Sequence, residues 1–347
     1  MSGYRYRGAV GAALLAALVS TPAAADAVAD FYKGKTVNLM IGFGAGGGND
    51  SWARTVARHI GRHIPGNPTV VPQNMPGAGG LKLTNFLYNA APKSGAVFGL
   101  VNRGIPLEPL LGGKGISFDV MKMNWIGSPD RDITVCMARK DGPVQHIRDI
   151  FKKELVVGAT GSGADTNIYP TFLANLLDMK FKVIRGYKGT QEIRLALERG
   201  EVQGVCSNFD SLARASQYKE GKLRILLQVA LQKDKDVPDS PLVTEFVKSE
   251  SDRQALEAFL ARIEIGRPFV APPGVPKERV AALRRAFDAT MKDPAFLADT
   301  KKQRLNVFAT TGEQLTAIIQ RIYATPKPAI ARIARALGRD KEKKKKK

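Results

Sequence analysis

The chain has 347 residues, 44% of them hydrophobic, with 53 Lys and Arg against 32 Asp and Glu. That length suits two domains of ordinary size, and the composition is globular rather than fibrous or disordered. A formal net charge of +21 points to anionic ligands or an anionic surface. Nucleic acid is excluded as a partner because the chain reads as exported and no stretch interleaves Lys and Arg with stacking aromatics.

At the N-terminus, Arg5 and Arg7 precede an apolar run from Ala9 to Val19, followed by Ser20-Thr21-Pro22 and Ala23-Ala24-Ala25. Basic, apolar and small-residue segments in that order make residues 1–25 a secretory signal peptide cleaved near Ala25. The run is too short to cross a bilayer. The mature chain is therefore expected in the periplasm. Without the two signal arginines and the net five positive charges from Arg339 onward, the body keeps +14. Residues 339–347, ending in Lys343 to Lys347, read as a disordered Lys-rich tail.

After a polar lead-in, Asp30 to Lys35, the run Val37 to Ile41 has strand length. A loop follows with glycine at 42, 44, 46, 47 and 48, and then apolar residues at 52, 53, 56, 57 and 60 at helical spacing. Strand, glycine loop and helix in succession leave backbone N–H groups free beside the positive end of a helix dipole, a cradle for an anion. The candidate contacts here are Phe43, Gly44, Ala45, Gly46, Gly47, Gly48, Asn49 and Asp50. Gly47 is the position where an added side chain is expected to block a ligand. Asp50 reads as the N-cap of a helix over 51–63, as a ligand contact, or as both.

A second strand is expected over Thr69 to Val71, a turn-rich loop over Asn74 to Gly80, a helix over 81–90 and a third strand over Val97 to Val101. The exit of that strand adds Asn102 and Gly104 as candidate contacts, with Arg103 as a possible counter-charge, like Lys188 further on. Trp125 to Gly127 and Ile133 to Met137 read as strands, the latter entering a second domain. Leu155 to Thr160 then leads into Gly161-Ser162-Gly163-Ala164-Asp165-Thr166 and a helix over 167–177, which repeats the opening pattern. Thr160, Gly161, Ser162, Gly163, Ala164, Asp165 and Thr166 form this second cradle, with Asn208 beyond a strand over Val202 to Cys206. Arg224 to Ala230 is expected to return to the first domain, and helices over 277–291, 312–323 and 328–338 close the chain. The reading is an α/β, two-domain fold with a ligand cleft between the domains. Residues 26–135 plus about 228–338 make domain one, and 136–227 make domain two. Ligands in such open sheets bind beyond the carboxyl ends of the strands.

Other chemistry finds little support. Gly42-Phe43-Gly44-Ala45-Gly46-Gly47 fits a dinucleotide fingerprint, but no Asp or Glu occurs between Asp50 and Glu108 to hold a ribose. His59 and His63 stand one helical turn apart without an acidic or thiol neighbour and read as a solvated basic face rather than a metal site. Ser162 lacks a hydrolase frame. No catalytic residue, metal or cofactor is expected. Cys136 and Cys206 have no second Cys at metal-ligand spacing. They either bridge or stay as buried thiols, and sequence alone leaves both open.

The residues also carry a resemblance. Phe43 to Asp50 with Ala53 and Arg54, Asn74 to Gly80, Gly161 and Gly163, Tyr187-Lys188-Gly189, Gly221 to Arg224 and Ala271 to Pro276 together resemble the extracytoplasmic solute receptors of tripartite tricarboxylate transporters, the Bug family. The ordered set spans about residues 31–320. The resemblance implies a Venus-flytrap, type II-like periplasmic binding protein without catalysis. Such a receptor captures a small carboxylated solute between the two glycine loops and hands it to membrane permease subunits. A monomer is expected. Two positions depart from the family's habit: Ala45 stands where proline is frequent, and Asn167 where histidine is. If Asp50 or Asp165 turned toward the solute, like-charge repulsion would favour an amine- or amide-bearing acid or a small monocarboxylate over citrate.

Overall fold

The structure is a computed structural model that describes residues 22–131 and 133–339. The signal peptide therefore lies mostly outside the described residues, as does the tail beyond Arg339; the expected cleavage point, Ala25, falls inside a helix, α1 (Pro22–Tyr32). Next come β1 (Thr36–Ile41), α2 (Gly48–Ile60), β2 (Thr69–Asn74), α3 (Leu81–Asn89), β3 (Val97–Leu100) and β4 (Asn124–Ser128). The chain continues with β5 (Thr134–Arg139), β6 (Leu155–Ala159), α4 (Asp165–Leu177), β7 (Phe181–Arg185), α5 (Thr190–Glu198) and β8 (Gly204–Asn208). Two short helices, α6 (Phe209–Ala213) and α7 (Ser216–Lys219), precede β9 (Leu223–Val229) and α8 (Glu250–Leu260). The last elements are β10 (Phe269–Ala271), α9 (Lys277–Thr290), α10 (Pro294–Lys302), β11 (Thr310–Thr311), α11 (Gly312–Tyr323) and α12 (Lys327–Ala336).

Two sheets result. The first has the order β11-β4-β10-β3-β1-β2 and the second β7-β6-β8-β5-β9. β1 lies parallel between β2 and β3, and its residues Leu39, Met40 and Ile41 are buried, as expected of an inner strand covered on both faces. α2 lays Trp52, Ala53, Val56 and Ile60 into a core shared with Phe98, Phe269 and Phe287. In the second sheet β6 runs parallel to β7 and β8, whereas β5 is antiparallel to both β8 and β9. Leu223–Val229 therefore belongs to the second sheet, not to the return path expected from sequence. It pairs antiparallel with β5 at the edge of that sheet. The return runs later, through α8, to β10. α12 packs on α8 and on α4 of the second sheet, while α11 packs on β4 of the first.

Two local readings change. Asp50 is the third residue of α2, and Gly47 is the N-cap, in an extended conformation with φ −83° and ψ 173°. Likewise Asp165 begins α4 after Ala164. His59 and His63 do not form a solvated face: His59 is buried and meets Asp299 at 2.9 Å, and His63 meets Asp293 at 2.8 Å. Their acidic partners come from α10 and its N-cap, more than 200 residues away, where no sequence spacing could place them.

Cys136 and Cys206 are joined in a disulfide. They sit directly opposite each other in the β5–β8 register and are buried. The bridge encloses a segment with a sequence separation of 70 residues. Closing a loop of that size removes denatured-state freedom worth about 4 kcal/mol. Urea unfolding of a Cys136→Ser/Cys206→Ser double variant should show a loss of that order relative to the oxidised wild type. Equal midpoints would mean that the bridge carries no stability.

Candidate functional site

The carboxyl ends of β1 and β3 face those of β6 and β8 across a closed cleft. Gly48 and Asn49 from the first turn of α2, Phe43, Asn102, Arg103, Gly266 and Arg267 line it from the first lobe. Thr160, Ala164, Asp165 and Thr166 around the start of α4, together with Thr190, Ser207, Asn208 and Ser211, line it from the second. Two helix N-termini thus converge on one space, each presenting its first-turn N–H groups and the positive end of a dipole.

The glycine loops bring the lobes together by backbone contact. Gly44 N–H donates to the Lys188 carbonyl at 3.0 Å. Gly79 has φ 68°, and a Cβ there would strike Ala164 N; a Cβ on Gly161 would lie 2.5 Å from Gly79 N. Gly46, with φ 78°, is the position in the first loop that needs a glycine conformation. Gly47 is not: its φ is ordinary, and a Cβ would meet Thr190 N at a comfortable 3.6 Å. A forbidden φ is therefore no obstacle to a side chain at 47. The tight glycine is Gly48, where a Cβ would lie 3.0 Å from Ser211 Cβ and 3.2 Å from Arg267 Nη2.

The candidate residues divide by what they do. Phe43, Gly48, Asn49, Asn102, Thr160, Ala164, Asp165, Thr166 and Asn208 line the cleft. Gly44, Ala45, Gly46, Gly47 and Asp50 do not; they build the loop behind it. Asp50 turns into its own loop, accepting from Gly46 N–H at 2.9 Å, Arg54 Nε at 2.9 Å and Asn74 Nδ2 at 2.8 Å. It fixes the loop and touches neither a cap position nor the cleft. Gly104 lies behind Asn102, donating to its Oδ1 at 2.6 Å. Gly161 and Gly163 face the loop around Gly79, and Ser162 faces a separate cavity beside Asn167 and Arg339. Asn167 donates to the Ser162 carbonyl at 2.8 Å.

Sequence reasoning missed Thr190, Ser207, Ser211, Gly266 and Arg267, and named Arg103 only as a possible counter-charge. Arg103, Arg262 and Arg267 are all buried. Arg103 Nε donates to Asp165 Oδ2 at 2.6 Å and Nη2 to Thr134 Oγ1 at 2.5 Å. Arg262 Nη2 holds the other oxygen, Asp165 Oδ1, at 2.8 Å. Arg267 pairs with Asp130 and, through Nη2, with Asp210 Oδ1 at 2.6 Å. Trp52 Nε1 donates to Asp210 Oδ2 at 3.2 Å, and Arg214 lies 3.5 Å from the same oxygen. Burial alone would raise the Asp165 carboxyl; the charges of Arg103 and Arg262 overcome it and hold the group below the usual carboxylate range. Burial, and then the charge of Arg103, pull Arg267 well below the ordinary arginine value. Two guanidinium groups on one cleft wall favour an anion there. Among the described residues no group of His, Cys, Asp and Glu could hold a metal, and no helix is long and apolar enough to cross a membrane.

Residues 52–334 match the model of the tripartite tricarboxylate transporter family receptor. The chain belongs to that family. A UPF0065 protein from the gbd 5′ region of Cupriavidus necator is 26% identical over 87% of this chain and 89% of its own. Among solved structures, the periplasmic binding protein BugD superposes with a TM-score of 0.69 at 25% identity, over 84% of this chain and 95% of that one. MatC from Rhodopseudomonas palustris with bound malate superposes with a TM-score of 0.67 at 19% identity, over 87% and 99%. The receptor thus has the two-domain fold of the periplasmic binding proteins, and its family serves a tripartite transporter.

Removing Asp165 should leave Arg103 and Arg262 buried without their counter-ion. Breaking a buried pair in this way costs about 3 kcal/mol or more. Because the folded-state pKa is depressed, this stabilisation is present above the unfolded carboxylate range, near ~3.9, and is lost as pH falls through the folded value. Chemical unfolding of Asp165→Asn against wild type should therefore show a gap at pH 7 that narrows in acid. A gap independent of pH would exclude this role for the carboxylate.

Proposed function

We propose that this receptor captures a small carboxylate-bearing solute in the cleft between its lobes and delivers it to the permease subunits of a tripartite transporter. The observation that carries the reading is the convergence of the α2 and α4 N-termini on one cleft whose wall includes Arg103 and Arg267. Helix N-termini and guanidinium groups are the standard donors to a carboxylate. The malate in the related MatC structure fits the same chemistry. The residues offered as contacts are those that line the cleft, with Asp50 and its loop as support.

Capture works by closure of two bodies about the connecting segments. The second lobe is built on the continuous stretch 134–229, which keeps β5 and β9 whole, and the first lobe on the residues before it together with the later stretch that carries β10 and β11. The solute neutralises donors on both sides and so favours the closed arrangement. The receptor acts as a monomer in the periplasm after removal of a signal peptide near Ala25, and it turns over nothing. The rival reading, an exported hydrolase on the same fold, finds no nucleophile paired with a base among the described residues to recommend it. The earlier preference for an amine-bearing acid loses its footing, because Asp50 faces its own loop and the charge of Asp165 is engaged by two arginines.

Native mass spectrometry of freshly purified protein and a thermal-shift screen of carboxylates, amino acids and amides test this. A solute at about 100 times its Kd should add about 2.7 kcal/mol, seen as a clear rise in Tm. Hydrolytic turnover that persists through repurification, or stabilisation by no carboxylate at all, would overturn the receptor reading.

A further inference from the structure

A second space between the lobes shares no lining residue with the cleft and has a volume of about 680 Å³. Sites for small molecules occupy about 300–1,000 Å³. One loop serves both spaces. Thr160, Ala164 and Asp165 face the cleft, whereas Ser162, Asn167 and Ile168 face the cavity. The cavity's apolar wall is Leu81, Ile168 and Leu337, all buried. Its charged groups are Glu108, Lys114, Arg185 and Arg339. Glu108 is buried and already satisfied, because Arg339 takes both its oxygens, Nη1 at 2.9 Å and Nη2 at 3.3 Å. Lys114 and Arg185 are exposed and make no ion pair or side-chain hydrogen bond among the described residues. The cavity thus joins an apolar wall to two uncompensated cations, one from each lobe.

We infer that this cavity is an effector site for a medium-chain aliphatic anion, and that filling it favours the closed receptor. The two halves of the lining ask for the two halves of such a molecule. An inorganic anion would leave the apolar wall uncovered, and a neutral chain would leave both cations without a counter-charge. The chain beyond Arg339 carries five lysines in a row, Lys343 to Lys347, the wrong charge for an occupant. Ser162 and Asn167, which the cleft does not use, add polar groups beside the cations. Because Lys114 and Arg185 stand on opposite lobes, an anion that engages both meets its full set of contacts only when the lobes are together. It therefore binds the closed arrangement better than an open one and shifts the population toward it. By linkage, it raises the affinity of the cleft by the same factor by which the cleft's solute raises its own. The effect on the cleft rests on the carboxylate-receptor reading; the site itself does not.

The test is calorimetric titration with octanoate, octyl sulfate and octanol at low salt, alone and with the cleft saturated by the small carboxylate that most stabilises the protein. The anions should bind wild type about tenfold or more tighter than octanol, and the tighter of the two identifies the head group. A Lys114→Glu/Arg185→Glu variant, altered at two exposed positions, should weaken the anions about tenfold or more and keep its affinity for the small carboxylate. With octanoate bound, the wild-type cleft should hold that carboxylate about fivefold or more tighter. Octanoate binding that survives the charge reversal, octanol binding as tight as that of the anions, displacement of octanoate by the small carboxylate, or a cleft affinity that octanoate leaves unchanged overturns the inference. Each of these leaves the receptor reading in place. If no small carboxylate binds wild type, the receptor reading fails, while anion binding lost on charge reversal still supports the site. Should the double variant not fold, Ser162→Trp, which fills the cavity from an exposed position, should lose octanoate to the same extent, and undiminished binding there overturns the inference.

Discussion

A carboxylate at the first turn of α4, buried between the guanidinium groups of Arg103 and Arg262, is the contact on which the closed arrangement depends. Taking three charges out of water is expensive, and their attraction repays the cost only where geometry and remaining hydrogen bonds are good. Here both carboxylate oxygens are engaged, Thr134 takes a further N–H of Arg103, and the Tyr169 ring lies under both guanidinium groups at 5.6 and 5.5 Å. The helix dipole of α4 adds to the stabilisation of the anion. Because Arg103 comes from one lobe and Asp165 from the other, this cluster also sets how the lobes meet.

Backbone chemistry prepares that meeting. Charged side chains approach one another only where the main chains on which they stand come unusually close. The small residues around 44, 79, 161 and 163 allow it, since Gly79 abuts Ala164 and Gly44 bonds to Lys188. Asp50 contributes from behind. Through Gly46, Arg54 and Asn74 it ties the first loop to α2 and to the end of β2, so the loop meets the opposite lobe already shaped. The ion pairs and the glycine contacts are two halves of one device, one giving energy and the other access.

Much of this was legible in the sequence. The repeated order of strand, glycine loop and helix located both halves of the cleft, because glycine spacing and apolar periodicity are local signals. Nine of the residues named in advance do line it. What escaped was everything fixed by distance along the chain. Arg267 stands in an unremarkable Gly-Arg-Pro turn and gains meaning only when β10 inserts beside β3, pairing Phe269 with Leu100, 169 positions earlier. Asp50 was read as a cap, a ligand contact or both because a short acid before a helical run usually caps it. In both loops, however, the helix starts earlier, on Gly47 and Ala164. The histidines of α2 needed Asp293 and Asp299 to be understood, and β9 was misassigned because a buried apolar run does not say which sheet it will join.

The path of the chain between the sheets has a consequence for assembly. Every strand of the second sheet comes from the continuous stretch Thr134 to Val229, and the disulfide lies within it. The first sheet receives β10 and β11 from beyond residue 268 and inserts β10 between β3 and β4, strands made long before. Sequence-distant pairings carry a larger loop-closure cost and form more slowly. The second sheet can therefore be completed, and bridged, while the first still waits for its central strand. A chain emerging N-terminus first would finish its middle before its beginning, leaving β1, β2 and β3 as an open-edged half-sheet until the C-terminal third arrives.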